Sequence, residues 1–154
     1  MRKYLVFGTA VAFIVIFNLG YVFHEILMGD FFKEKIGAIQ REDYNIPIIA
    51  LAFLLYTLIQ AWLLPIFYSF ARANYHWSLM KTAIVFGSLL GFLWDGLQGG
   101  MIEVATFKMP AVVFWVDSGY HTVEGMLTAV ILSVFYKSKL KSQNSKIDPD
   151  RIES

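Results

Sequence analysis

The stretch I-P-I-I-A-L-A-F-L-L-Y-T-L-I-Q-A-W-L-L-P-I-F-Y-S-F-A, Ile46 to Ala71, runs for 26 residues without one charged side chain. An α-helix rises 1.5 Å per residue, so about 20 residues cross the roughly 30 Å hydrocarbon core of a bilayer. A core helix of a water-soluble domain would keep a polar face, and this stretch has none. Three further apolar runs accompany it: Tyr4 to Met28, Thr82 to about Ala105, and Ala111 to Tyr136. The pattern predicts an all-α integral membrane protein, a four-helix bundle over residues 1–137 with helices near 4–28, 46–71, 82–105 and 111–136.

Composition agrees. The 154 residues are 57% hydrophobic and 16% charged, with mean hydropathy +0.56. Soluble domains carry roughly 45–50% apolar and about 25% charged residues. The net charge of +1 supplies no field that would draw nucleic acid, so no nucleic-acid partner is expected. With no cysteine, disulfides, thiolate metal sites and cysteine nucleophiles are excluded. Phosphate-loop, dinucleotide and nucleophile-elbow motifs are absent from the sequence. Arg2 and Lys3 ahead of the first apolar run resemble a signal peptide, but the run is long and lacks a small-residue cleavage site. It reads as a retained helix.

Positive charge orients the chain. Arg2, Lys3, Arg72, Lys81, Lys137, Lys139, Lys141 and Lys146 fall on one side, which the positive-inside rule makes cytoplasmic. Both termini are therefore expected in the cytoplasm, with the protein multi-pass in a cell's inner membrane. Residues 29–45 form the one long connection, expected as an extracytoplasmic loop or an interfacial helix. Pro47 suits a helix start and Pro65 should kink the second helix. Residues 138–154 read as a mobile cytoplasmic tail. No internal repeat supports an inverted-repeat transporter within one chain.

The sharpest functional signal lies in the hairpin of helices three and four. Asp117, His121, Glu124 and Thr128 follow i, i+4, i+7, i+11, one helical stripe. Ser88, Gly91, Asp95 and Gln98 repeat the spacing on helix three, where Gly87 and Gly91 form a small-xxx-small pair. A turn at Met109–Pro110 would match Asp95 in depth with Glu124, Gln98 with His121, and Ile102 with Asp117. Charges near the midplane cost about 2.5–3.5 kcal/mol on an insertion scale unless neutralised or paired. Helix one adds Asn18, Tyr21, His24 and Glu25; helix two adds Gln60 and Tyr56. The polar layers run from the midplane outward, which places a ligand- or proton-binding site of Asp95, Gln98, His121, Glu124, Asp117, Tyr21, His24, Asn18 and Gln60 on the extracytoplasmic side.

Each of these residues also has a structural reading. Asn18, Gln60 and Gln98 suit helix–helix hydrogen bonds. His24, Glu25, Glu103 and Asp117 lie near helix ends, where snorkelling accounts for them. Asp95, His121 and Glu124 mark function by default, or else a helix lock in which His121 binds Asp95 or Glu124.

The segment F-K-M-P-A-V-V-F-W-V-D-S-G-Y-H-T-V-E-G-M-L-T-A-V-I-L resembles the last helix of a bacterial family of small four-helix membrane proteins, domain of unknown function 1761. The block Asp117, Ser118, Gly119, Tyr120, His121 carries the resemblance, and Gly20, Tyr21 and F-H-E-I-L-M-G-D-F-F add a looser match. Glu124 departs from the family pattern, which more often has a small or apolar residue there. The resemblance implies a four-helix fold and a bacterial membrane; it implies no activity.

Three functions follow from these residues. The first is binding or transport of a small polar or cationic solute, or of protons, with the lipid bilayer as surroundings and a homo-oligomer to enclose enough volume. The second is a membrane-embedded divalent-metal protein or metalloenzyme, with His24, Asp95, His121 and Glu124 as ligands; no other cofactor is expected. The third is an accessory or assembly subunit whose polar residues only pack helices. The sequence leaves enzyme, transporter and structural subunit open.

Overall fold

The computed structural model describes residues 4–37, 46–99, 101 and 110–147, without the side chains of residues 95, 97–99 and 141–147. Regular structure among the described residues is helical throughout. Five helices follow in order: α1 (Tyr4–Leu27), α2 (Gly29–Ile36), α3 (Ile46–Tyr75), α4 (residues 79–99) and α5 (Ala111–Ile147).

Helix α1 turns Tyr4, Gly8, Ala12, Ile16 and Gly20 inward, every fourth residue, and His24 continues the series. At 3.6 residues per turn a four-residue repeat drifts by about 40° per step. Wider π-wound turns at Tyr4–Gly8 and Val22–Leu27 take up part of that drift. The last of them closes with Met28 N–H donating to the Phe23 carbonyl at 2.9 Å.

Helix α2 is amphipathic. Phe32 is buried, while Asp30, Lys33, Glu34 and Lys35 are exposed. Lys35 Nζ donates to Glu34 Oε1 at 2.7 Å, and this bond lowers the carboxyl pKa. Within residues 29–45, Gly29–Ile36 is helical, and residues 38–45 lie outside the described ones.

Helix α3 contains Pro65, which has no N–H to give the carbonyl of Ala61 four residues back. The hydroxyl of buried Tyr4 donates to that carbonyl instead, at 2.8 Å. A side chain of α1 thereby repairs the break in α3. Tyr4, Ala61, Leu64, Phe86, Leu132 and Tyr136 belong to the core cluster at this end of the bundle.

The link from α3 to α4 is three residues long. His76 takes the left-handed conformation, φ 53°, and Ser78 caps α4 by accepting from Lys81 N–H at 3.2 Å. This cap starts α4 at Leu79, three residues before the expected Thr82. At the other end, α5 stays helical to Ile147, so residues 138–147 of the expected tail extend the last helix. Residues 148–154 and 102–109, the latter including Glu103, lie outside the described ones.

Helices α4 and α5 approach most closely. A Cβ at Gly87 would strike the Gly125 carbonyl, and one at Gly91 the His121 carbonyl. A Cβ at Gly125 would sit 2.9 Å from Gly91 Cα and 2.8 Å from the Tyr56 hydroxyl. The absence of side chains at these positions lets the two backbones touch, as the small-residue spacing leads one to expect.

Two helices, Tyr4–Leu27 and Ile46–Tyr75, are long and apolar enough to cross a membrane, and Leu79–Trp94 forms a shorter apolar helix. Only 28% and 22% of the two long apolar windows are buried. The outer faces show Phe7, Trp62, Phe70, Leu89 and Trp94 bare. This is apolar surface far beyond scattered single residues.

Candidate functional site: a titratable ladder along α5

One face of α5 carries Asp117, His121 and Glu124 at i, i+4 and i+7, so each meets the next across a single turn. His121 Nδ1 lies 2.8 Å from Glu124 Oε2, and His121 Nε2 lies 3.4 Å from Asp117 Oδ2. Asp117 Oδ1 faces His24 Nε2 of α1 at 3.7 Å. Four titratable groups from two helices thus form one continuous ladder. Its side-chain exposure falls from 35% at His24 to 18% at Asp117, 17% at His121 and 1% at Glu124. The ladder leads from the half-open end of the bundle to a fully buried carboxylate.

Both ring nitrogens of His121 face carboxylate oxygens. The ring donates to both only as imidazolium; as neutral imidazole it presents a lone pair to one of them. Its proton count is therefore tied to those of Asp117 and Glu124. With both histidines neutral and both carboxylates ionised, the ladder carries a charge of −2. Burying that charge without compensation is costly, so protons or a cation must balance it.

Aromatic rings hold the outer end. Tyr120 stacks on Phe23 with centroids 4.2 Å apart, and His24 sits 5.1 Å from the rings of Phe23, Phe32 and Tyr120. Helix α2 contributes Phe32, so the amphipathic segment caps His24. Gly20 makes room on α1: a Cβ there would lie 3.3 Å from the Tyr120 hydroxyl and 3.2 Å from Phe53. These aromatic partners were not among the sequence-derived site residues. Each stands next to a ladder histidine or one helical turn along α2, which was the available signal.

The other expected residues divide. Gln60 is fully buried, and its amide nitrogen and oxygen have no hydrogen-bond partner among the described residues. Asn18 is exposed and donates to its own helix at Ile14 O, 2.7 Å away. Tyr21 is 62% exposed, and Glu25 is exposed too. Neither Asn18 nor Tyr21 joins the ladder, because the inward face of α1 follows the Gly20–His24 step. Thr128 turns its hydroxyl back to the Glu124 carbonyl at 2.8 Å and ends the stripe. The side chains of Asp95 and Gln98 lie outside the described ones.

The backbone nevertheless corrects the expected depth of Asp95. A hairpin symmetric about Met109–Pro110 would set Gly96 against Val123. A Cβ at Gly96 would instead lie 2.9 Å from Ser118 Cα, so the helices pair five residues off that register. Gly91, not Asp95, stands near the level of His121 and Gly125. Equal arms about Met109–Pro110 do not fit these contacts. Asp95 belongs near Ser118, at the level of the ladder's outer half.

Among the described residues no group of three His, Asp or Glu side chains has the spacing to hold a metal ion. The ladder is extended, with its ends on either side of His121, whereas a tetrahedral site needs its donors to converge on one point.

No protein-family model matches the chain, and neither a curated protein nor a solved structure matches it. The likeness of the last helix to the four-helix family rests on the residues quoted for it alone.

Proposed function

We propose that the chain is an integral membrane four-helix bundle of a cell's inner membrane, both termini cytoplasmic, whose ladder binds and conducts protons or a small cation. In this reading α1, α3, α4 and α5 span the bilayer and α2 lies on its outer surface. The bare apolar exteriors of α1 and α3 support it, because lipid is the solvent that such faces suit. The ladder's groups Asp117, His121 and Glu124 point the other way, into the bundle.

The observation that carries the proposal is the descent in exposure from His24 to Glu124 through contacts of 3.7, 3.4 and 2.8 Å. A helix lock needs one pair. Four coupled groups leading inward offer a proton or cation successive positions, and the −2 charge of the deprotonated ladder favours a positive occupant. Four helices enclose little volume, so a homo-oligomer is part of the reading.

The test is flux. In liposomes with an entrapped pH dye, an imposed pH or cation gradient should collapse faster with the protein than without. Glu124→Gln and His121→Gln should each remove that difference while the protein remains folded. Wild-type flux in both variants would reduce the ladder to a helix lock. Elemental analysis of the purified protein addresses the metal reading, which requires a stoichiometric divalent ion.

A further inference from the structure

At the opposite end of the bundle, where α3 ends and α4 begins, a pocket of about 700 Å³ opens against α5. Arg72, His76 and Lys137 line it together with Tyr68, Trp77 and Ser78, and no carboxylate is among the described lining residues. The arrangement is one-signed. Two permanent cations face a shared space with no acidic side chain among its described lining residues.

Three details argue that the pocket is made for an anion. First, Arg72 is positioned: its Nη1 donates to the Tyr68 hydroxyl at 3.1 Å. A guanidinium held at one edge keeps its other donors directed, and its fork matches phosphate oxygens. Second, the first turn of α4 opens on the pocket, and the leading N–H groups of a helix have no carbonyl partner within it. Third, His76 holds a left-handed backbone conformation that a non-glycine residue adopts at a cost. The same turn brings His76 into the pocket lining.

We propose that this pocket binds a phosphate group, gripped by Arg72 and Lys137 and completed by His76, Ser78 and the start of α4. Phosphate has two sources here. One is the headgroup of an anionic phospholipid, which rests on the membrane reading above and on basic pockets at a cytoplasmic face being lipid sites. The other is a free phosphate, which does not rest on that reading. The apolar remainder of the pocket suits a lipid's glycerol and upper chains. The site is independent of the ladder at the other end.

The experiment uses the full-length protein in a mild detergent. Binding is read as the rise in thermal midpoint with added phosphatidylglycerol, phosphatidylcholine or inorganic phosphate, and as lipid retained in native mass spectra. Phosphatidylglycerol or inorganic phosphate should bind, and phosphatidylcholine should not compete. Saturation by inorganic phosphate alone identifies a soluble ligand; a requirement for phosphatidylglycerol identifies the lipid. Arg72→Gln with Lys137→Gln should weaken binding about twenty-five-fold, each cation contributing about fivefold. Lys137→Gln alone, on the exposed side of α5, keeps the test open if the double variant fails to fold, with about fivefold loss expected. Wild-type affinity in a folded variant, or binding of neither phosphatidylglycerol nor inorganic phosphate, overturns the proposal.

Discussion

His121 Nδ1 and Glu124 Oε2 stand 2.8 Å apart within one turn of α5, and the glutamate side chain is shut off from the surface. Through its other ring nitrogen, Nε2, the histidine also answers to Asp117, so Glu124 is the anchor on which the ladder's inner half depends.

Removing the anchor should therefore cost more than neutralising it. Glu124→Ala leaves a buried imidazole without its closest partner, and breaking a buried pair from one side costs about 3–5 kcal/mol. Glu124→Gln keeps the volume and a hydrogen-bonding oxygen, so its stability loss should be nearer 1 kcal/mol. Thermal midpoints in detergent would separate the two. Equal losses would mean that His121 gains nothing from the contact.

The close crossing of α4 on α5 gives a second contrast. Gly91→Ala would drive a methyl into the His121 carbonyl, forcing the helices apart where the ladder is held. Overpacking of this kind costs about 1–3 kcal/mol, and here the obstacle is backbone. Gly119→Ala adds a methyl with nothing within 4 Å of it, on the exposed side of α5. It should be neutral or raise stability by about 0.5–1 kcal/mol, as replacement of a mid-helix glycine does. Parallel unfolding curves would read both.

Why some of this was legible beforehand and some was not comes down to which geometry sets each feature. The Asp117–His121–Glu124 spacing lies within one α-helical face, so sequence spacing fixes it. Gly87 and Gly91 likewise announce a close approach, though not its partner. The inward face of α1 is different. Asn18, Tyr21, His24 and Glu25 are all polar positions of helix one, yet the buried series is Ala12, Ile16 and Gly20, continued by His24. A four-residue repeat drifts around a regular α-helix, and only the π-wound turns at both ends of α1 reveal which residues stay inside. Asp95 was misplaced in depth because the register of a hairpin depends on its connection, which spacing within a helix does not reach.

The repair of α3 by α1 yields a third prediction. Tyr4→Phe keeps the ring and its contact with Tyr136, at centroids 5.3 Å apart, and deletes only the hydroxyl. The Ala61 carbonyl, already without a helical donor because of Pro65, then has none in a fully buried position. An orphaned buried acceptor costs about 1–3 kcal/mol. Adding Pro65→Ala restores a backbone N–H to that carbonyl, so the double variant should recover most of the loss. A double-mutant cycle on thermal midpoints measures it, and strict additivity would refute the link.

The orientation makes a final prediction that needs no ligand. Because the chain has no cysteine, any introduced thiol is the sole target for a membrane-impermeant maleimide. Glu34 is 72% exposed on the polar face of α2, and Asn74 is exposed at the opposite end of α3. In the proposed orientation, the positive charge around Arg72, Lys81 and Lys137 puts that second end on the cytoplasmic side. In intact cells Glu34→Cys should therefore label and Asn74→Cys should not, until the membrane is opened with detergent. The reverse pattern would invert the bundle, leaving the ladder to open on the cytoplasm and the basic pocket on the outside. Labelling of both in intact cells would mean that α3 does not span the bilayer, and the apolar exterior would then have to be covered by another protein surface.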